Sequence, residues 1–191
     1  MKIIILTLSL LLIGCNNSEF DKNLDAKSYL QAGMIDKAES YYQDLILKED
    51  PSSDLWKREL LFLYIKSNQL DKADKYMAFA IFYDAKGSID YEAMSRSHAE
   101  VGEALYDEKK YKRSMFHYIA SADFSLSDEN KSRPECNIDA LGMIVMAHEA
   151  AVKSDQPSET IKLRARALKI INEKPCNENQ LAQEYNTILN Q

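Results

Sequence analysis

An all-α fold built from about four antiparallel helical hairpins is what this sequence predicts, and three observations carry the prediction. The first is a recurrence: Gly33, Ile35, Ala38 and Tyr42 return as Asn68, Leu70, Ala73 and Met77, then as Lys109, Tyr111, Ser114 and Tyr118. The step from Ala38 to Ala73 is 35 residues and the step from Ala73 to Ser114 is 41, a period that belongs to stacked helical pairs. The second is apolar spacing at i, i+3, i+4 and i+7 through most of the chain. The third is punctuation: five Gly and four Pro in 191 residues leave little room for tight turns and favour long helices.

Residues 1–14 stand apart from the fold. Lys2 supplies a positive start, and residues 3–13 are an apolar run broken by Thr7 and Ser9. That run is too short to cross a hydrocarbon core about 30 Å thick and has the form of a secretory signal peptide. Its end, Leu12-Ile13-Gly14-Cys15, resembles the lipobox of bacterial lipoproteins. The resemblance implies cleavage before Cys15 and acylation of that residue, including palmitate. Several chains would hold firmly, each buried methylene adding roughly 0.8 kcal/mol. Asn16 is not the Asp that in that family marks inner-membrane retention, so the implied location is the outer membrane, facing the periplasm.

Residues 15–23 then read as a lipidated Cys and a polar tether, and residues 24–191 as one helical domain. Leu24, Tyr29 and Leu30 open the first hairpin, Gly33 fits its turn, and Ile35, Ala38, Tyr41, Tyr42, Leu45 and Ile46 return. Asp50-Pro51 closes it. The second hairpin pairs Leu55, Trp56, Leu60, Leu61, Leu63 and Tyr64 with Leu70, Ala73, Tyr76, Met77, Ala80 and Ile81. Lys86-Gly87-Ser88 is a break. The third pairs Ala99, Val101, Gly102, Leu105 and Tyr106 with Tyr111, Met115, Tyr118, Ile119 and Ala122. Residues 125–134 are the most polar stretch and read as a loop. A fourth, longer hairpin joins residues 137–153 to residues 158–173 across Ser154-Asp155-Gln156-Pro157. Asn177 with Gln180 resembles a capping pair for a last, terminal helix.

Taken together, residues 22–173 resemble a tetratricopeptide repeat (TPR) protein. Val101-Gly102 with Leu105, and Leu141-Gly142 with Val145, match the first-helix signature of that family. So do Leu60-Leu61 with Tyr64, while the opening recurrence matches its second helix. Trp56 lies one place early, Ser114 replaces an Ala, and the fourth repeat lacks an Ala/aromatic pair. The resemblance implies an α-solenoid with a concave groove that holds a peptide or helix of a partner. Laid on this chain, the family's groove positions are Lys27, Arg58, Phe62, Lys66, Arg96, Glu103 and Tyr106. Such a mixture of cations and aromatics suits an acidic partner, although the Lys/Asn clamp of chaperone-tail binders is absent. In a hairpin, the start of one helix lies beside the end of the other. Cys136 and Cys176 bracket the fourth hairpin in this way, and a disulfide is expected between them.

Chemistry is sparse. A formal charge of −6 is the wrong sign for binding nucleic acid. No nucleophile elbow, phosphate-cradling glycine loop or His-Glu-x-x-His run occurs. His98, His117 and His148 are the three histidines; a polar cavity joining the first two with carboxylates would signal an enzyme or a small-ligand site. The expectation is otherwise no enzyme, no metal and no cofactor. A membrane-anchored adaptor in the bacterial envelope, binding an envelope protein or peptide, is the favoured reading. Its alternative is a pilot lipoprotein that assembles an outer-membrane secretion or pilus complex.

Overall fold

The structure is a computed structural model that describes residues 18–48, 53–83, 87–127, 136–173 and 176–190. The signal segment 1–14, the expected lipidation site Cys15, the Asp50-Pro51 junction, Lys86 and residues 128–135 of the polar loop lie outside the described residues. The helices are α1 (Ser18–Gln31), α2 (Ile35–Leu47), α3 (Ser53–Lys66), α4 (Leu70–Met77), α5 (Tyr91–Asp107), α6 (Tyr111–Ser125), α7 (Ile138–Lys153), α8 (Pro157–Asn172) and α9 (Gln180–Leu189). A short 3-10 turn, Cys176–Glu178, precedes the last of them. The fold is all-helical, and consecutive helices pack on one another. Among the described residues the β structure amounts to one isolated bridge, Tyr83 to Ile89.

Four of the helix-to-helix turns share one geometry. Gly33, Asn68, Lys109 and Asp155 all adopt positive φ, between 54° and 72°. In the first turn the Gly33 N–H donates to Leu30 O and the Met34 N–H to Tyr29 O. The same two bonds recur as Asn68 to Ile65 with Gln69 to Tyr64, as Lys109 to Tyr106 with Lys110 to Leu105, and as Asp155 to Val152 with Gln156 to Ala151. This is the Schellman arrangement, which satisfies the last carbonyls of one helix while reversing the chain. Glycine meets the left-handed requirement without steric cost at position 33. The polar side chains at 68 and 155 tolerate it.

Five residues beyond each of the first three turn residues lies a small side chain with no exposed surface: Ala38, Ala73 and Ser114. Small groups there let paired helices cross closely. Ser114 replaces Ala without leaving an orphan hydroxyl, because its Oγ donates to Gly102 O at 2.7 Å. At the other end of that pair, Ser95 Oγ donates to Ser121 O at 2.9 Å. Residues 102 and 114, and 95 and 121, are thus partners in an antiparallel register. Around these contacts the core divides into two clusters. One is centred on Trp56, Leu60, Leu61 and Leu63, the other on Leu141, Ile144, Ala147 and Ala167.

Three local expectations are corrected. Helix α1 begins at Ser18, so part of the expected tether is helical. Helix α4 ends at Met77, and Ala80 and Ile81 leave the helix. The chain exits because Phe82 is buried and pinned: its N–H meets Met94 Sδ at 3.4 Å, and its carbonyl accepts from the Asp90 N–H at 2.9 Å. The cap of α9 is Asn179, whose side chain accepts from the Ala182 N–H, since Asn177 is taken into the 3-10 turn. The Cys136 and Cys176 sulfurs lie at disulfide distance, with Cα atoms 4.7 Å apart, as the hairpin topology requires.

Two measurements check this architecture. Replacing both Cys136 and Cys176 by Ser is expected to lower unfolding stability by about 4 kcal/mol, the chain-entropy value for a 40-residue loop, in urea titration. Free thiols at both positions in the oxidised protein would contradict the pairing. A Cβ on Gly102 would stand 3.0 Å from Cδ1 of the buried Tyr118. Gly102→Ala is therefore expected to destabilise by about 1–2 kcal/mol, despite the better helix propensity of Ala. A stabilised variant would show that the helices are not in close contact there.

Candidate functional site

The expected groove residues all lie on first helices of the hairpins: Lys27 on α1, Arg58, Phe62 and Lys66 on α3, and Arg96, Glu103 and Tyr106 on α5. Their fates differ. Arg58, Phe62 and Lys66 recur at i, i+4 and i+8, so one exposed strip of α3 carries all three. Phe62 is 46% exposed, with the Lys66 ammonium 5.1 Å from its ring centroid. Lys27 and Glu103 are exposed. Arg96 pairs with Glu92 at 2.5 Å, and that pair is open to solvent. Tyr106 is half-buried and does not face a ligand alone. Its hydroxyl bonds the Glu149 carboxylate and the Lys153 ammonium of α7, which joins the two helices.

Beside Arg96 lies a polar cleft of about 380 Å³, between α5, α6 and α7. Glu92, Ser95 and Arg96 come from α5, Ser121 and Ser125 from α6, and Asp139 and Met143 from α7. The N-cap Asn137 holds this corner together. Its Oδ1 accepts from the Ala140 N–H, and its Nδ2 donates to Ser125 O at 2.8 Å. The cleft's mixed charges can hold a polar segment that carries groups of either sign.

His98 and His117 do meet, with Nδ1 atoms 3.0 Å apart. His117 Nε2 is 2.9 Å from Asp74 Oδ1, and Arg113 donates to Asp74 and to Asp71, each at 2.6 Å. The hydrogen-bond chain assigns the protons. A carboxylate can only accept, so His117 Nε2 carries hydrogen; the neutral ring then accepts at Nδ1 from the His98 Nδ1–H. Burial first, and His117 second, push His98 from 6.5 down to about 4. Burial also lowers His117, although its bond to Asp74 opposes the shift. Asp74 is raised by burial, but the bonds from His117 and Arg113 outweigh this and hold it below the usual carboxylate range. His98 and His117 are 8% and 6% exposed, and His98 stacks on Phe124 at 5.5 Å. The network ties α4, α5 and α6 together. His148 lies apart from it on α7, its pKa lowered by burial. Among the described residues no group of three or more His, Cys, Asp or Glu side chains is arranged to hold a metal ion.

The sequence reading missed a second surface. Phe79 is 87% exposed and Ile81 and Tyr83 are about half so, in the segment that leaves α4. Helical periodicity had assigned part of that segment to a core face, so no signal in the apolar pattern marked it as surface.

No protein-family model matches this chain, and no curated protein matches it.

The buried histidines predict a pH dependence. The unfolded chain protonates His98 near 6.5, whereas the native state resists until about 4. The unfolded state therefore binds more protons in that window, and stability present at neutral pH is lost as pH falls from 6.5 to 4. The transition temperature is expected to fall across this range, and to fall less steeply in His98→Gln. Equal slopes for the two proteins would show that His98 does not titrate as a buried neutral ring.

Proposed function

We propose that this chain is a lipid-anchored adaptor of the bacterial envelope that binds an envelope protein or peptide and performs no catalysis. In this reading residues 1–14 are a lipoprotein signal peptide, Cys15 carries the acyl groups, and the domain faces the periplasm from the outer membrane. The helical pairs form a TPR-like α-solenoid of four hairpins, with α9 as its cap. Arg58, Phe62 and Lys66 belong to its inner groove, together with Lys27, Arg96, Glu103 and Tyr106.

One observation carries the reading. On α3 a half-exposed aromatic ring has the Lys66 ammonium 5.1 Å from its centroid and Arg58 one turn before it in the helix, outside the core and in the register of a first helix. A Phe left 46% exposed beside Arg and Lys forgoes part of the burial it could contribute to the core. Such groups are the usual anchors of protein contacts. The four equivalent turns and the buried small residues at 38, 73 and 114 support the repeat architecture. In this reading the His98–His117–Asp74 chain is structural, since both rings are buried and bonded in series, Nδ1 to Nδ1 and then His117 Nε2 to Asp74.

The test is affinity capture from detergent-solubilised membranes, with wild type compared against Arg58→Glu and Phe62→Ala. A partner recovered with wild type is expected to fall at least tenfold with either variant, at unchanged protein stability. A partner set identical for all three proteins would remove the groove from the reading. Globomycin-insensitive processing, or an unmodified Cys15 in the mature protein, would remove the anchor.

A further inference from the structure

Between α2, α3, α4 and the segment that follows Met77 lies an open trough of about 650 Å³. Tyr76, Phe79, Ile81 and Tyr83 give it an apolar lining, and the charged groups lining it are Lys57, Lys72 and Lys75. Among the described residues that line it there is no Asp or Glu, in a chain with 30 acidic and 24 basic residues. We propose that this trough is a second docking site, separate from the α3 groove strip, for an acidic peptide segment of a partner protein. One large apolar side chain of that segment seats against Tyr76, Phe79 and Tyr83, and carboxylates flanking it reach the lysines.

The site is built in advance. Lys57 is held by Asp54 at 2.6 Å and Lys72 by Glu39 at 2.6 Å, so both ammoniums are positioned before a ligand arrives. Each also lies near an aromatic ring, Lys57 at 5.7 Å from Tyr83 and Lys72 at 5.6 Å from Tyr64. Lys75 makes no ion pair within 4.0 Å among the described residues, although its charge acts on Asp71 one turn before it, and the Tyr76 hydroxyl makes no hydrogen bond among them. In the proposal an incoming carboxylate takes a hydrogen bond from each. The apolar wall is likewise fixed: the Tyr83 N–H donates to Asp54 Oδ2 at 2.8 Å, and buried Phe82 anchors its neighbours. The chain therefore holds Phe79 at 87% exposure on a pinned segment, where it is unused by the core. Asp54 and Glu39 already pair with two of the three lysines, which weakens the attraction for the face of an anionic bilayer and favours a peptide that adds an apolar anchor.

The probe is a fluorescent hexapeptide with one Phe among Asp and Glu residues, titrated against the full chain by anisotropy. Two controls replace its acids by Lys or its Phe by Ala. Expected is saturable binding of the acidic Phe peptide, at least tenfold tighter than either control and weakened by salt. Lys75→Glu is expected to weaken it tenfold or more and Phe79→Ser about fivefold, while Arg58→Glu and Phe62→Ala change it less than twofold. The last pair separates this site from the groove, so failure of one leaves the other standing. Equal binding of the acidic and basic peptides overturns the proposal, as does insensitivity to Lys75→Glu. Binding of phosphatidylglycerol vesicles that depends on Phe79, without peptide binding, also overturns it in favour of a membrane-facing patch.

Discussion

Close approach of paired helices is the constraint on which the rest of this structure depends. Ala38, Ala73 and Ser114 have no exposed surface, and a Cβ on Gly102 would press on Tyr118. Where backbones come this near, a large side chain cannot be accommodated by rotamer change, because the interior is already close-packed. The turn chemistry serves the same end. A left-handed residue placed five positions ahead of the small one reverses the chain in two or three residues, and so brings the small residue opposite the preceding helix.

Polar groups do a different job: they join one helical pair to the next. Glu39 accepts from Tyr64 and Lys72, Asp74 from His117 and Arg113, and Asp123 from Arg166. Most of these ion pairs are partly exposed and individually weak. The exception is the histidine chain, which is buried. There a missing partner would leave a desolvated nitrogen unsatisfied, so the network is costly to break even if modest in net worth. That gives two histidines in a helical core a structural role.

The two surfaces singled out differ in how they arise. The α3 strip follows from helical periodicity alone: once Leu60, Leu61, Leu63 and Tyr64 are buried, Arg58, Phe62 and Lys66 have to face outwards. The lysine-rimmed trough does not follow from periodicity. It exists because Phe82 is drawn into the core against Met94, which ends α4 at Met77 and turns Phe79 and Ile81 outwards.

The sequence by itself determined the helical class, the positions of the four hairpin turns, the buried small residues and the partnership of Cys136 with Cys176. All of these rest on short-range spacing or on which helix ends must be neighbours. It also marked the fourth turn at Ser154-Asp155-Gln156-Pro157, although the Ala/aromatic signature is missing there. Only the tertiary structure decided that α4 stops early, that Asn179 and not Asn177 caps α9, and that Tyr106 is spent on α7. It alone brought His98, His117 and Asp74 into one hydrogen-bonded chain. Each of these depends on a contact between residues distant in sequence, where the depth of a buried ring or the reach of a side chain outweighs the local preference of the backbone.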